Sequence, residues 1–187
     1  MGGDESSDEA LMLRYRDGDA DSFDLLYSRH KDALFRYCLR HCRERGAAEE
    51  TFQDVWMRVI GSRARYEARA KFTTWLYRIA HNRVIDGYRS ARPGQVQSLE
   101  DDPPGSDPPA AATDEPERRL CGHRQAARLQ SLLAALPPEQ RDVFLLHEEA
   151  GLSLEDIAEL SGVGRETVKS RLRYALAKLR AALKDDQ

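Results

Sequence analysis

Cysteine is scarce in this chain. Three residues out of 187, Cys38, Cys42 and Cys121, are too few for a disulfide framework, so a reducing compartment is the expected setting. Proline is missing from the first 92 residues, which leaves that stretch free to form long uninterrupted helices. No apolar run approaches the roughly 20 residues that cross a bilayer, so no membrane insertion is expected. Met1 to Glu9 is acidic and has no apolar stretch, which argues against a secretory signal. There is no glycine-rich phosphate loop and no nucleophile elbow. The five histidines (His30, His41, His81, His123 and His147) are scattered. The expectation is therefore a chain with no catalytic residues, no metal and no cofactor.

What is present is charge, and it is uneven. Charged residues make up 33% and hydrophobic residues 41%, with a formal net charge of −3. That total argues against nucleic acid, but the segments argue for it. Residues 1–24 hold eight acids against Arg14 and Arg16. Residues 58–92 hold nine bases against Glu67 and Asp86, and residues 165–184 hold seven bases against Glu166 alone. Polyanion binding follows the local field, so two basic patches can grip phosphates on a chain that is acidic on average. A single such run is usually just a solvated helix face; two, each on a helix with its own motif, carry more weight.

The predicted organisation is all-α, two small helical domains (residues 1–92 and 118–187) joined by a flexible acidic Pro-rich linker (93–117). Ser6-x-x-Glu9 reads as a capping box opening a first helix to Arg16. A second helix runs from Asp21 to about Arg43 and ends at Gly46. Its face is Phe23, Leu26, Tyr27, His30, Leu34, Tyr37, Cys38 and His41. A third helix buries Phe52, Val55, Trp56, Val59 and Ile60 and ends at Gly61-Ser62. A basic loop, Arg63 to Lys71, leads to a fourth helix from Lys71 to Arg89. Six of the eight prolines and seven acids fall between Pro93 and Glu117, a composition that cannot bury enough surface to fold. Beyond it, one helix stops at Pro137-Pro138 and another runs from Glu139 to Gly151.

The last third has the pattern of a helix-turn-helix. Ser153 is an N-cap with Asp156 three residues on. Ala158 lets two helices approach, Gly162 permits a turn with φ > 0, and Val168 fills the angle between them. Arg165, Lys169 and Arg173 then form one outward ridge with Glu166 and Ser170 beside it. Such a helix fits the major groove, where Arg and Lys reach guanine edges and Glu accepts from cytosine. Arg171, Lys178 and Arg180 are placed for phosphates. In the fourth helix, Trp75, Arg78, Asn82, Asp86 and Arg89 recur at steps of three or four. Bases there can hold phosphates, and rings can stack on unpaired bases. Phe72, Leu76 and Ile79 read better as core, and Trp75 reads either way.

Four stretches resemble the sigma factors of bacterial RNA polymerase, of the compact extracytoplasmic-function subfamily. Phe23-Asp24-Leu25-Leu26-Tyr27 through Arg36-Tyr37 resembles the opening helix of a sigma-2 domain. Ala48 to Trp56, with Gln53-Asp54, resembles the polymerase-binding helix. Phe72-x-x-Trp75-Leu76-x-x-Ile79-Ala80-x-Asn82-x-x-x-Asp86-x-x-Arg89 resembles the promoter-melting helix. Leu136-Pro137-Pro138-Glu139-Gln140-Arg141 through Lys178-Leu179-Arg180 resembles a sigma-4 domain. The resemblance implies a non-enzymatic specificity subunit in the cytoplasm. It implies docking on core RNA polymerase (the clamp helices of the largest subunit and the flap of the second) through Phe52, Gln53, Asp54, Trp56 and Met57. It implies that Arg65, Tyr66, Lys71, Trp75, Arg78, Asn82, Asp86 and Arg89 capture and melt the −10 element of promoter DNA. It implies that Arg165, Glu166, Thr167, Lys169, Ser170, Arg171 and Arg173 read the −35 element as duplex. An anti-sigma factor is the further partner implied.

Some residues leave alternatives. Tyr66 could cover a flipped base or anchor the loop. Cys38, His41 and Cys42, close together on one helix, could sense thiol oxidation or metal, or could be small packed residues beside a histidine. A free-standing helix-turn-helix regulator is the competing function, and a helical metalloenzyme built on Cys38, His41 and Cys42 is a third that leaves both basic patches unexplained.

Overall fold

Ser7 rather than Ser6 starts the first helix. The computed structural model describes residues 6–42, 44–91 and 128–184, and in it the Ala10 N–H donates to the Ser7 hydroxyl at the head of α1, Asp8–Arg16. The expected Ser6–Glu9 box does not form. The Glu9 carboxylate instead accepts the Phe72 N–H at 2.7 Å, so an acid of α1 caps the unsatisfied end of α4, Phe72–Ala91. Gly18, at φ 110°, turns the chain, and Asp19 caps α2, Ala20–His41, by accepting from the Asp21 N–H.

Gly46 does not end α2. The helix stops at His41, where Cys42 turns extended, and Gly46 falls in the first turn of α3, Arg45–Ser62. Gly61 likewise lies inside α3, followed by a 3-10 turn over Arg63–Arg65. An exposed glycine at a helix end is tolerated when the neighbouring turns pack well. The packing comes from Leu26, Leu34 and Tyr37 of α2, Val55, Trp56 and Val59 of α3, and Phe72, Leu76 and Tyr77 of α4, all buried. Each large apolar side chain contributes about 1.5–3 kcal/mol on burial.

In the second half, α5 is described over residues 128–134. Pro138 opens α6, Pro138–Glu148, where its missing N–H costs nothing. Gly151 adopts φ 64°. Ser153 and Asp156 make a reciprocal capping box at the head of α7, Leu154–Ser161. Gly162 takes the left-handed conformation the turn requires, φ 67° and ψ 27°. The last helix, α8, is Arg165–Lys184. Val168 is fully buried in the angle between α7 and α8, and Ile157, Ala175 and Leu179 join it. Among the described residues the regular elements are all helices, with no strand. None of their helices is long and apolar enough to cross a membrane. The linker expected over 93–117, and Cys121 and His123 beyond it, lie outside the described residues.

The two halves touch. α2 packs on α6 and α4 on α7, and one buried apolar cluster runs through both. Gln130 of α5 donates to the Leu39 carbonyl of α2 at 2.8 Å.

Candidate nucleic-acid interface

The groove-sized helix is α8. Arg165, Glu166, Thr167, Lys169 and Arg173 are exposed on it, while Ser170 and Arg171 are half-buried. The ridge is held by acids of its own chain. Arg165 is bonded to Glu155 of α7 and lies 3.4 Å from Glu166, and Lys169 Nζ is 3.7 Å from the other Glu166 oxygen. The bond from Arg165 holds the Glu155 carboxyl below its ordinary range. Arg173 lies over the ring of Tyr174, 5.1 Å from its centroid.

On the other half, the basic loop and the start of α4 enclose a shallow pocket of about 410 Å³, lined by Arg65, Glu67, Arg69, Ala70, Thr74, Trp75 and Arg78. Trp75 is half-buried. Tyr66, in contrast, is 3% exposed. Its ring packs edge-on to Trp75 at 5.0 Å and to Phe72 at 6.4 Å. Burial pushes its hydroxyl up to about 12. Tyr66 is therefore the loop's anchor, not a free lid, and it fixes the wall on which Trp75 stands. Arg65, Lys71, Asn82 and Asp86 are exposed and Arg78 is half-buried. Arg89 falls in α4, but its side chain lies outside the described residues.

On α3, the five sequence-identified residues separate by helical register. Gln53 is exposed, Met57 is 64% exposed, and Asp54 is partly exposed. Trp56 is 5% exposed, packed between Tyr27 at 5.0 Å and Phe23 at 5.7 Å. Phe52 is half-buried beside Phe35 and Tyr27. Asp54 accepts from Arg83 Nε of α4 at 2.7 Å, which ties this face to α4.

Cys38 belongs to the buried core and Cys42 packs against it. Cys38 is fully buried, and burial pushes its thiol up to about 12. The Cys42 thiol is also raised by burial and rests 3.8 Å from the Thr51 hydroxyl. The two ring nitrogens of His41 face the Tyr88 hydroxyl and Asp142 of α6.

Sequence reading missed the residues that join the halves. Asp142 of α6 is 6% exposed. The Tyr37 hydroxyl donates to its Oδ1 at 2.7 Å, His41 Nε2 lies 3.3 Å from the same oxygen, and His81 Nδ1 lies 2.9 Å from the other. Burial opposes its ionisation, but the two imidazoles hold the carboxyl well below the usual range. Burial also depresses His41 and, with the neighbouring carboxylate, raises Tyr37. Around this centre Glu149 bonds Arg36 and Arg40, and Glu159 of α7 meets Arg78 at 2.6 Å.

An exposed basic ridge on α8 and a base- and ring-lined pocket at the start of α4 give the fold two separate surfaces of the kind that suits nucleic acid. The chain matches the family Sigma-70 region 2 over residues 26–93 and the family Sigma-70, region 4 over residues 126–179. It is 32% identical to the RNA polymerase sigma factor CarQ of Myxococcus xanthus, across 92% of this chain and 95% of that protein. It is 31% identical to the ECF RNA polymerase sigma factor SigM of Mycobacterium tuberculosis, across 94% and 84%. Among solved structures, CnrH in complex with the cytosolic domain of CnrY superposes with a TM-score of 0.72 at 23% identity, covering 97% of this chain and all of that one. RpoE in complex with the anti-sigma factor NepR from Bartonella quintana superposes at 0.66 and 22% identity, covering 90% and all. The chain belongs to the extracytoplasmic-function sigma factors of the sigma-70 family, and it directs promoter-specific initiation of transcription by RNA polymerase.

Proposed function

We propose that the work of initiation is divided among the three faces described above, and that the chain has no catalytic activity of its own. Gln53, Asp54 and Met57 dock on core polymerase. The pocket between Arg65 and Arg78 receives a base extruded from the −10 element, with Trp75 as the stacking wall and Arg78, Asn82 and Lys71 along the displaced strand. Unstacking a base costs about a few kcal/mol, and one aromatic stack returns roughly 1–3 kcal/mol. The exposed ridge of α8 reads the −35 element. The observation that carries this reading is the Trp75 pocket, because a ring anchored by buried Tyr66 is already oriented before any base arrives. The chain works in the cytoplasm, and an anti-sigma factor restrains it. A regulator acting without polymerase leaves the exposed Gln53–Met57 face without a use.

Purified chain added to core polymerase is expected to give transcripts from a dedicated promoter. Asn82→Ala should impair opening of duplex templates more than of templates already melted at −10. Equal loss on both would assign Asn82 to the fold instead.

A further inference from the structure

The contact between the two halves puts acids of region 4 on the bases of region 2. Glu159 of α7 is bonded to Arg78, and Asp156 lies 3.4 Å from the Thr74 hydroxyl, with Thr74 at the wall of the Trp75 pocket. Leu160, Ser161 and Gly162 of the helix-turn-helix face Asn82 and Asp86 across a cleft. The surface assigned to the melted strand is thus already occupied by carboxylates standing where phosphates would stand.

The occupancy is anchored from behind. Region 2 presents a buried socket of one donor hydroxyl and two imidazoles (Tyr37, His41 and His81), and Asp142 fills it. His41 Nε2 and His81 Nδ1 are buried and lie within ion-pair distance of the two Asp142 oxygens, at 3.3 and 2.9 Å, without a well-aligned hydrogen bond to any group. Removing the carboxylate would leave the buried Tyr37 hydroxyl without its acceptor, which is costly in a low-dielectric site. At the rim Arg36 and Arg40 close on Glu149. A side chain this buried and this specifically partnered determines one docking geometry, whereas rim ion pairs alone would not.

We infer that the free chain is self-masked: Asp142 locks region 4 into a carboxylate socket on region 2, and Asp156 and Glu159 then cover the −10 surface as an internal mimic of the DNA backbone. The inference rests on the assignment of that surface to the melted strand. The lock itself is an independent physical claim.

The test uses the full chain in two variants outside the DNA-binding residues, Asp142→Asn and Glu149→Lys. The first removes the buried charge while keeping the shape. The second repels Arg36 and Arg40, and it retains the test if the first variant fails to fold, as judged by helical circular dichroism. Small-angle scattering reports compaction, and a short fluorescent single-stranded DNA of mixed sequence reports access to the surface. Both variants are expected to expand and to bind the strand roughly tenfold or more tightly than wild type, the factor a charge-assisted bond can suppress. Scattering unchanged in the variants that fold would overturn the lock. Expansion with unchanged strand affinity would overturn the masking. Absence of promoter-dependent transcripts from wild type plus core polymerase would strike the functional assignment while leaving the scattering result to decide the lock.

Discussion

Gly162→Ala isolates the energetic cost of the helix-turn-helix corner. Gly162 has φ 67° and ψ 27°, and a Cβ added there would meet nothing within 4 Å. The cost therefore has no contribution from neighbours and is the left-handed backbone penalty itself, roughly 1–2 kcal/mol for an L-residue. Loss of chain entropy in the unfolded state offsets part of it, about 0.4–1 kcal/mol. The net expectation is about 1 kcal/mol, or about 2–4 °C in Tm for a chain of this size. Asn, which enters this region more readily, should lose less. Gly61→Ala is the control of opposite sign. Gly61 lies inside α3 with open space at its Cβ, so Ala should stabilise by up to about 1 kcal/mol. Denaturant unfolding of the full chain measures all three, and binding to −35 duplex shows whether the α7–α8 angle relaxes before the domain unfolds. If Gly162→Ala matches wild type, or if Asn proves worse than Ala, the corner is not held by backbone conformation and the reasoning fails.

Lys169→Ala and Arg173→Ala, both on the exposed ridge, should each weaken −35 duplex binding by about 1–3 kcal/mol where they reach a base edge; a defect confined to melting would move the ridge out of the groove. Cys38, buried and with its thiol pushed up to about 12, should resist alkylation at pH 8 in the folded chain and react after denaturation, and rapid labelling of the native protein would contradict its place in the core. Acidification should loosen the packing between regions. His41 is depressed by burial in the packed form, against the pull of Asp142, so the separated form takes up its proton first as pH falls through about 6.5. Asp142, held low, faces Tyr37 and His41 of α2 and His81 of α4, with Arg141 beside it on α6. Its contribution is complete above about pH 4 and is lost only below that. Scattering that stays constant from pH 8 to pH 5 would refute the His41 part.

Local chemistry made some of this legible and distance hid the rest. Gly162, Val168 and the Ser153–Asp156 box could be read because each acts on residues within one or two turns. Ser6 and Ser7 are equally good caps on adjacent positions, and what decides between them includes Glu9, whose carboxylate is engaged by Phe72 at a separation no window covers. Trp56 sits in a motif associated with polymerase docking, but its register with Val55 and Val59 takes it into the aromatic core with Phe23 and Tyr27. Asp142 shows the limit most plainly. In the sequence it is one acid among others in the first half of a polar helix, while its partners Tyr37, His41 and His81 belong to two helices of the other region. Such a site has no periodicity and no spacing, so only the folded chain reveals it.

The order of events in initiation follows from which contacts DNA can replace. At the rim, Arg78 exchanges Glu159 for a phosphate, one exposed ion pair for another, each contributing about 0–1 kcal/mol. DNA alone gains little by that exchange, and it offers nothing to the socket around Asp142, where a charged buried hydrogen bond is worth about 1.5–3 kcal/mol. Gln53 and Met57, meanwhile, stay exposed while the regions are packed together. The proposed docking face is therefore exposed while the proposed promoter face is covered. A large partner that grips region 2 there and holds region 4 elsewhere can supply the free energy to empty the socket, and DNA binds afterwards. On the proposed assignment of these faces, polymerase first and promoter second would follow from where one aspartate is buried.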